Sequence, residues 1–352
     1  MSTPDMNPDQ LPLFKPGAAH WRIKDKDAHA SFGELGDGKV YVHDQKIVFA
    51  VQVAQKTGRP LLLQGPAGCG KSSLAPFVAN ELGCRFYSYT VNARTQARDL
   101  MWDFDALGRL NDANIAASVD EARVKVVNLH NYITPGVLWW AFEPGSAALR
   151  GAVGGKHLQV PLCRDPATID PKDPDKVIHY RQPGAVVLID EIDKADPDVP
   201  NNLLEAFGSR RFTVAETGTR IEEQRPYPLI FITTNKEREL PNAFLRRCIM
   251  LELHHKSAED LEKIAKAQLG EEHSDSYLPV ARKVVELRTQ AHERNLREPS
   301  TAEYLDALVA CRELGVLPDG KTTAERRRWQ DLIEIGLRKL AEPDPSDPRN
   351  RR

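Results

Sequence analysis

The chain has 352 residues, 41% of them hydrophobic and 28% charged, with 48 basic against 50 acidic side chains and a formal net charge of −2. That balance offers no global attraction to nucleic acid or to a membrane surface, and no apolar run approaches the roughly 20 residues of a membrane helix. The length suits one large domain plus a smaller one. The start, MSTPDMNPDQLPLF, has neither a basic beginning nor a long apolar stretch, so no secretory signal is expected and a cytoplasmic location is the default. Five scattered cysteines (Cys69, Cys84, Cys163, Cys248, Cys311) with no CxxC pair fit reduced thiols better than a disulfide frame or a zinc site.

Residues 1–38, rich in Pro, Gly and charge, read as a loosely ordered arm. From Asp44 to Thr57 the positions Ile47, Val48, Val51 and Ala54 recur at helical spacing, and Gly58-Arg-Pro60 stops that helix. Pro60–Gln64 reads as a short buried strand, Lys71–Leu82 as a helix and Arg85–Thr90 as a second strand. The stretch 103–182 reads as an insertion, holding the apolar cluster Gly136-Val-Leu-Trp-Trp-Ala-Phe142. Trp139 and Trp140 there suit core packing, with a partner-binding surface as the other reading. Ala185–Ile189 is continuously apolar, as a strand covered on both faces requires. A helix at Asn201–Phe207, a hairpin around Glu216-Thr-Gly218, and strands at Leu229–Thr233 and Ile249–Leu253 follow. After His255 the pattern becomes helical, over 257–269, 277–294, 300–314 and 323–340. The expected organisation is a core at 39–255, a helical subdomain at 256–341 and a disordered tail at 342–352.

The chemistry concentrates in four places. Gly65-Pro66-Ala67-Gly68-Cys69-Gly70-Lys71-Ser72-Ser73 sits between a strand and a helix, the setting of a phosphate-binding P-loop. Its glycines let backbone amides approach phosphates, Lys71 supplies charge to the β- and γ-phosphates, and Ser72 is a magnesium ligand. Asp190 and Glu191 end an apolar strand, where ligands of open α/β sheets gather. Asp190 suits the magnesium shell, and Glu191 suits a general base. Asn235 closes the next apolar strand and is placed either to orient a water or to cap a turn. Arg246 and Arg247 read either as surface charge or as an arginine finger acting on a neighbouring subunit. Cys69, inside the loop, is either a space-filler or a point where oxidation blocks phosphate binding.

In order and spacing these four elements resemble the AAA+ ATPases along most of residues 40–340. Val40-Tyr-Val42, QGPAGCGKSSLA, LIDEIDKADPDV and ITTNKERELPNAFLRRC look like the MoxR-type branch, which has kinship with McrB-type motors. The resemblance implies an α/β fold, a P-loop NTPase αβα sandwich with a parallel sheet in the order 5-1-4-3-2 and a C-terminal helical lid. It implies ATP and Mg2+ bound between the subunits of a ring, commonly a hexamer. Asn235 then matches sensor 1, and Arg246 and Arg247 match the finger region. The family usually places a second sensor arginine near a Ser-Pro-Arg sequence at the start of a lid helix. Here that stretch is Arg297-Glu-Pro-Ser-Thr-Ala302, with Ala302 at the expected position and Arg297 as a substitute from the preceding turn. MoxR-type ATPases often work with von Willebrand factor A domain proteins, which makes such a protein the expected client.

The expected function is therefore ATP hydrolysis at subunit interfaces to remodel or activate a protein partner. Two alternatives stay open: a McrB-like motor on nucleic acid, with GTP as a possible fuel, and a non-hydrolysing nucleotide switch. A small-molecule kinase would need neither the finger arginines nor the lid.

Overall fold

The computed structural model describes residues 13–16, 41–116, 127–152, 167–170, 173–179, 184–272, 274–294 and 296–337. The expected tail at 342–352 and most of the expected arm lie outside these residues, as does Cys163. The described residues fall into two compact units. One is drawn from Met1–Asp25, Asp44–Gln64 and Val78–Glu252, the other from Lys26–His43, Gly65–Phe77 and Leu253–Arg352.

The first unit is built on five strands: β1 (Leu61–Gln64), β2 (Arg85–Thr90), β3 (Ala185–Asp190), β4 (Leu229–Thr234) and β5 (Ile249–Glu252). They pair in the order β5-β1-β4-β3-β2, all parallel, so the expected 5-1-4-3-2 order is the observed one. Register aligns Gln64 with Thr234 and with Glu252, Ile232 with Ile189, and Thr90 with Asp190. One side of every strand end therefore shares a single edge of the sheet. Parallel strands covered on both faces need continuous apolar sequence, and LLLQ, AVVLID and LIFITT supply it.

One face of the sheet sends Leu62, Tyr87, Val187, Ile189, Ile230 and Ile232 into a core shared with helix residues. Helix α1 (Gln45–Thr57) runs along β1 and β5. Asp44 caps it by accepting the Ile47 N–H at 2.8 Å, and Gly58, at φ 64°, ends it by donating to Ala54 O. Helix α2 (Lys71–Leu82) follows the glycine loop. Helices α3 (Val137–Phe142) and α4 (Asp198–Ser209) cover the sheet with Leu138, Trp139, Phe142, Val199 and Leu203. Short α5 (Asn242–Leu245) precedes β5. The hairpin predicted around Glu216 is present as Arg211–Thr213 against Arg220–Glu222.

Trp139 is 0% exposed and Trp140 2%, with the Trp139 and Trp102 rings both packed on Phe212. The packing reading of these tryptophans holds and the partner-surface reading falls, because neither ring reaches solvent. Part of the expected loose arm is also anchored. Phe14 is fully buried, its N–H donates to Gln55 Oε1 at 3.0 Å, and its carbonyl accepts from Gln52 Nε2 at 2.9 Å.

The second unit contains α6 (Ala258–Leu269), α7 (Tyr277–Glu293), α8 (Thr301–Leu314) and α9 (Thr323–Leu332). Ser257, Ser300 and Thr322 cap α6, α8 and α9, the last two as full capping boxes with Glu303 and Glu325. Leu261, Val280, Val284, Leu287, Tyr304 and Leu308 form its core. The last predicted helix, 323–340, is helical as far as it is described, with α geometry to Leu332 and a π turn at Ile333–Leu337; residues 338–340 lie outside the described residues. Among the described residues, no helix is long and apolar enough to cross a membrane.

Candidate functional site

In the second unit the glycine loop leaves the chain directly after Gln64. Gly65, Gly68 and Gly70 have φ of 151°, 73° and 94°, the half of the map where a Cβ is strained. The loop turns back on itself so that the Lys71 ammonium, only 6% exposed, donates to Gly65 O at 2.8 Å and Pro66 O at 2.7 Å. Ser72 and Ser73 follow in the first turn of α2, a twelve-residue helix whose N-terminus carries the positive end of the dipole. An ammonium buried in a glycine turn, with two hydroxyls at a helix start, is a donor set that fits phosphate oxygens and a hard divalent cation. Cys69 is buried, and burial raises its thiol pKa against the opposing charges of Lys71 and Lys256. At 1% exposure it fills space in the loop, which weakens the oxidation reading.

The acidic cluster belongs to the first unit, at the carboxyl ends of β3 and β4. Thr233, fully buried, donates its hydroxyl to Asp190 Oδ1 at 2.5 Å and accepts the Glu191 N–H at 2.8 Å. Glu191 takes a left-handed conformation, φ 58° and ψ 49°, which costs a non-glycine residue about 1–2 kcal/mol and persists only where neighbours impose it. Its carboxylate accepts from Lys194 Nζ at 2.6 Å and from Asn235 Nδ2 at 3.4 Å. The Glu191 hydrogen bond is the main reason the Lys194 pKa is raised. Asp193, 2% exposed, uses Oδ2 to accept the N–H groups of Asn235 at 3.1 Å and Glu237 at 2.9 Å, which fixes the turn after β4. The structure thus brings Asp190, Glu191 and Asn235 together. A carboxylate and an amide side by side can hold one water between them.

Arg246 and Arg247 stand apart, exposed at the end of α5. Arg247 Nη1 donates to Ala243 O at 3.1 Å, and neither arginine joins the hydrogen bonds around Glu191. Their backbone is held from elsewhere: the Arg59 guanidinium donates to the carbonyls of Arg246, Arg247 and Cys248. Arg297, the expected substitute sensor, pairs with Glu303 at 3.2 Å and is half exposed.

Four residues in these networks escaped the sequence reading: Thr233, Asp193, Lys194 and Arg59. Lys194 carried a signal, since a cation three residues after Glu191 falls within reach in a tight turn. Thr233 and Asp193 carried none, because their contacts depend on the register of β4 against β3 and not on any local pattern.

A parallel sheet in this order, with a glycine loop after β1 and a carboxylate pair ending β3, defines a P-loop nucleotide-binding fold. The model of the AAA domain of the dynein-related subfamily matches residues 60–248, more than half of the chain, and the chain belongs to that family. Among solved structures, a single-residue variant of Thermotoga maritima RuvB is similar at 17% identity. That alignment covers 83% of this chain and 75% of the other, with a TM-score of 0.36. The Thermotoga maritima RuvB Holliday junction branch migration motor gives 17% identity, 83% and 74% coverage and a TM-score of 0.33. No curated protein matches the chain.

Proposed function

We propose that this chain is a magnesium-dependent ATPase of the MoxR-type branch, working in the cytoplasm as a ring, hexameric by family resemblance. It hydrolyses ATP between subunits and uses the cycle to remodel a protein client, of which a von Willebrand factor A domain protein is the leading candidate. In this reading the amides of Gly65–Gly70 and the Lys71 ammonium would hold the phosphates, and Ser72 and Asp190 would hold the magnesium, which would supply neutralisation of phosphate charge. Glu191 takes the proton of the attacking water, Asn235 orients that water, and Arg246 or Arg247 of a neighbouring copy steadies charge on the transferred phosphoryl group.

The observation that carries this reading is the hold on Glu191. A strained backbone, anchored by Thr233, sets its carboxylate beside the Asn235 amide. A ring component that only reads nucleotide identity would have no use for that arrangement. Phosphate release measured across a range of protein concentrations tests it, with ATP or GTP and with or without DNA. The expected result is a specific activity that rises with concentration, prefers ATP, ignores DNA and disappears in Lys71→Ala. Full turnover by dilute monomer would refute the shared site, and a DNA-stimulated GTPase would favour the McrB-like alternative.

A further inference from the structure

Arg288, on α7, is 5% exposed, the one buried arginine among the described residues. Its Nε donates to Pro299 O at 2.8 Å and its Nη1 to Lys256 O at 3.2 Å, while Nη2 has no hydrogen-bond partner among the described residues. Burial lowers its pKa, opposed by the charges of Glu298, Cys69 and Glu303. Enclosing a guanidinium with one nitrogen unpaired is costly, and an apolar side chain of similar volume usually serves a helical core as well or better. Its presence in this core calls for a job other than filling space.

The two carbonyls it holds belong to the two segments that press on the glycine loop. On one side, a Cβ added to Gly65 would come 2.2 Å from Leu253 O. On the other, a Cβ added to Gly68 would come 2.3 Å from Ser300 Cβ and 2.8 Å from its Cα, and Gly68 O accepts the Thr301 N–H at 3.2 Å. The loop is therefore threaded between the chain at Leu253–Lys256 and the chain at Pro299–Thr301. His255 Nε2 lies 2.7 Å from Glu298 Oε2, so the two stretches also approach each other just beside these segments. Lys256 extends the first wall by lying over the Tyr41 ring, which a Cβ on Gly70 would meet at 3.6 Å.

We propose that Arg288 is a positioning residue for nucleotide binding. Its planar fork ties the Lys256 and Pro299 carbonyls together and so sets the gap that shapes the P-loop. The inference rests on the reading that this loop binds ATP. A lysine at 288 could reach one carbonyl but not both, and a methionine neither.

The test uses the full-length chain as wild type, Arg288→Lys and Arg288→Met, with two readouts. Hydrogen exchange without nucleotide, over peptides covering residues 64–72 and 297–304, reads the tie itself. Titration with a fluorescent ATP analogue and magnesium reads its consequence. Losing charge-assisted bonds to two carbonyls is expected to speed exchange in both peptides by about tenfold and to raise the Kd by about tenfold in Arg288→Met, with Arg288→Lys in between. If the methionine variant does not fold, the lysine variant decides alone. Folded variants with wild-type exchange in both peptides and wild-type Kd would overturn the proposal. Wild-type protein that binds no nucleotide would sink the ATPase reading and the claimed purpose of the tie, whereas unchanged exchange would sink the tie alone.

Discussion

Replacing Glu223 by glutamine should stabilise the protein at alkaline pH and do nothing at acid pH. Glu223 follows the Arg211–Glu222 hairpin with its side chain 6% exposed, and burial pushes its pKa from 4.5 up to about 7, against the pull of Arg210 Nε at 3.5 Å. The folded chain thus holds this proton more tightly than the unfolded chain. The penalty for ionising it is absent below pH 4.5, grows through pH 7 and is complete above it. At about 1.4 kcal/mol for each pH unit between the two pKa values, the ceiling is about 3 kcal/mol. Arg210 is partly exposed and brings solvent with it, so about 2 kcal/mol is a better expectation, or about 3 °C in Tm for a chain of this size. Thermal unfolding followed by circular dichroism from pH 4 to pH 8.5 measures it, with the difference between the two proteins cancelling other titrations. Equal Tm values at pH 4 and a gap that opens between pH 5 and pH 8 are expected. A glutamine variant less stable than wild type at pH 8 would show that the Arg210 ion pair outweighs burial, and the reasoning would be wrong.

Thr233→Val removes the hydroxyl shared by Asp190 and the Glu191 N–H, and should cost about 1–3 kcal/mol in unfolding while lowering kcat at least about tenfold. Arg59→Ala releases three carbonyls of the Arg246–Cys248 segment. In steady-state kinetics it should lower kcat about tenfold and leave KM for ATP within about threefold, as loss of the proposed finger's placement requires. Trp139→Ala empties a fully buried site and should cost about 3–5 kcal/mol in denaturant unfolding; an unchanged midpoint would contradict its place in the core.

Much of the site was legible because its signals are local. The glycines around Lys71 announce a backbone conformation, and Asp190-Glu191 stand out as the first charges after five apolar residues. The sheet was legible too, since strands covered on both faces must be apolar throughout. What escaped depends on contacts distant in sequence. Arg59 reads as part of a helix stop, and nothing near it foretells carbonyls 187 to 189 residues away. Thr233 becomes a partner of Asp190 only once β3 and β4 are neighbours in register. Arg288 did leave a trace: it falls on the stripe Val284, Leu287, Ala291 that α7 buries, and a cation on an apolar stripe signals a held charge. The π turn at Ile333–Leu337 was not legible, because helical periodicity in a sequence does not distinguish an α turn from a π turn.

The central claim is a site shared between two copies of the chain, and mixing two inactive variants tests it most directly. Glu191→Gln keeps the arginines and loses the proposed base, while the double variant Arg246→Ala, Arg247→Ala keeps the proposed base and loses the arginines. Random mixed rings should contain intact sites at about a quarter of their interfaces, so phosphate release should recover to a comparable fraction of wild type. Mixed oligomers that form but release phosphate no faster than either variant alone would contradict the account.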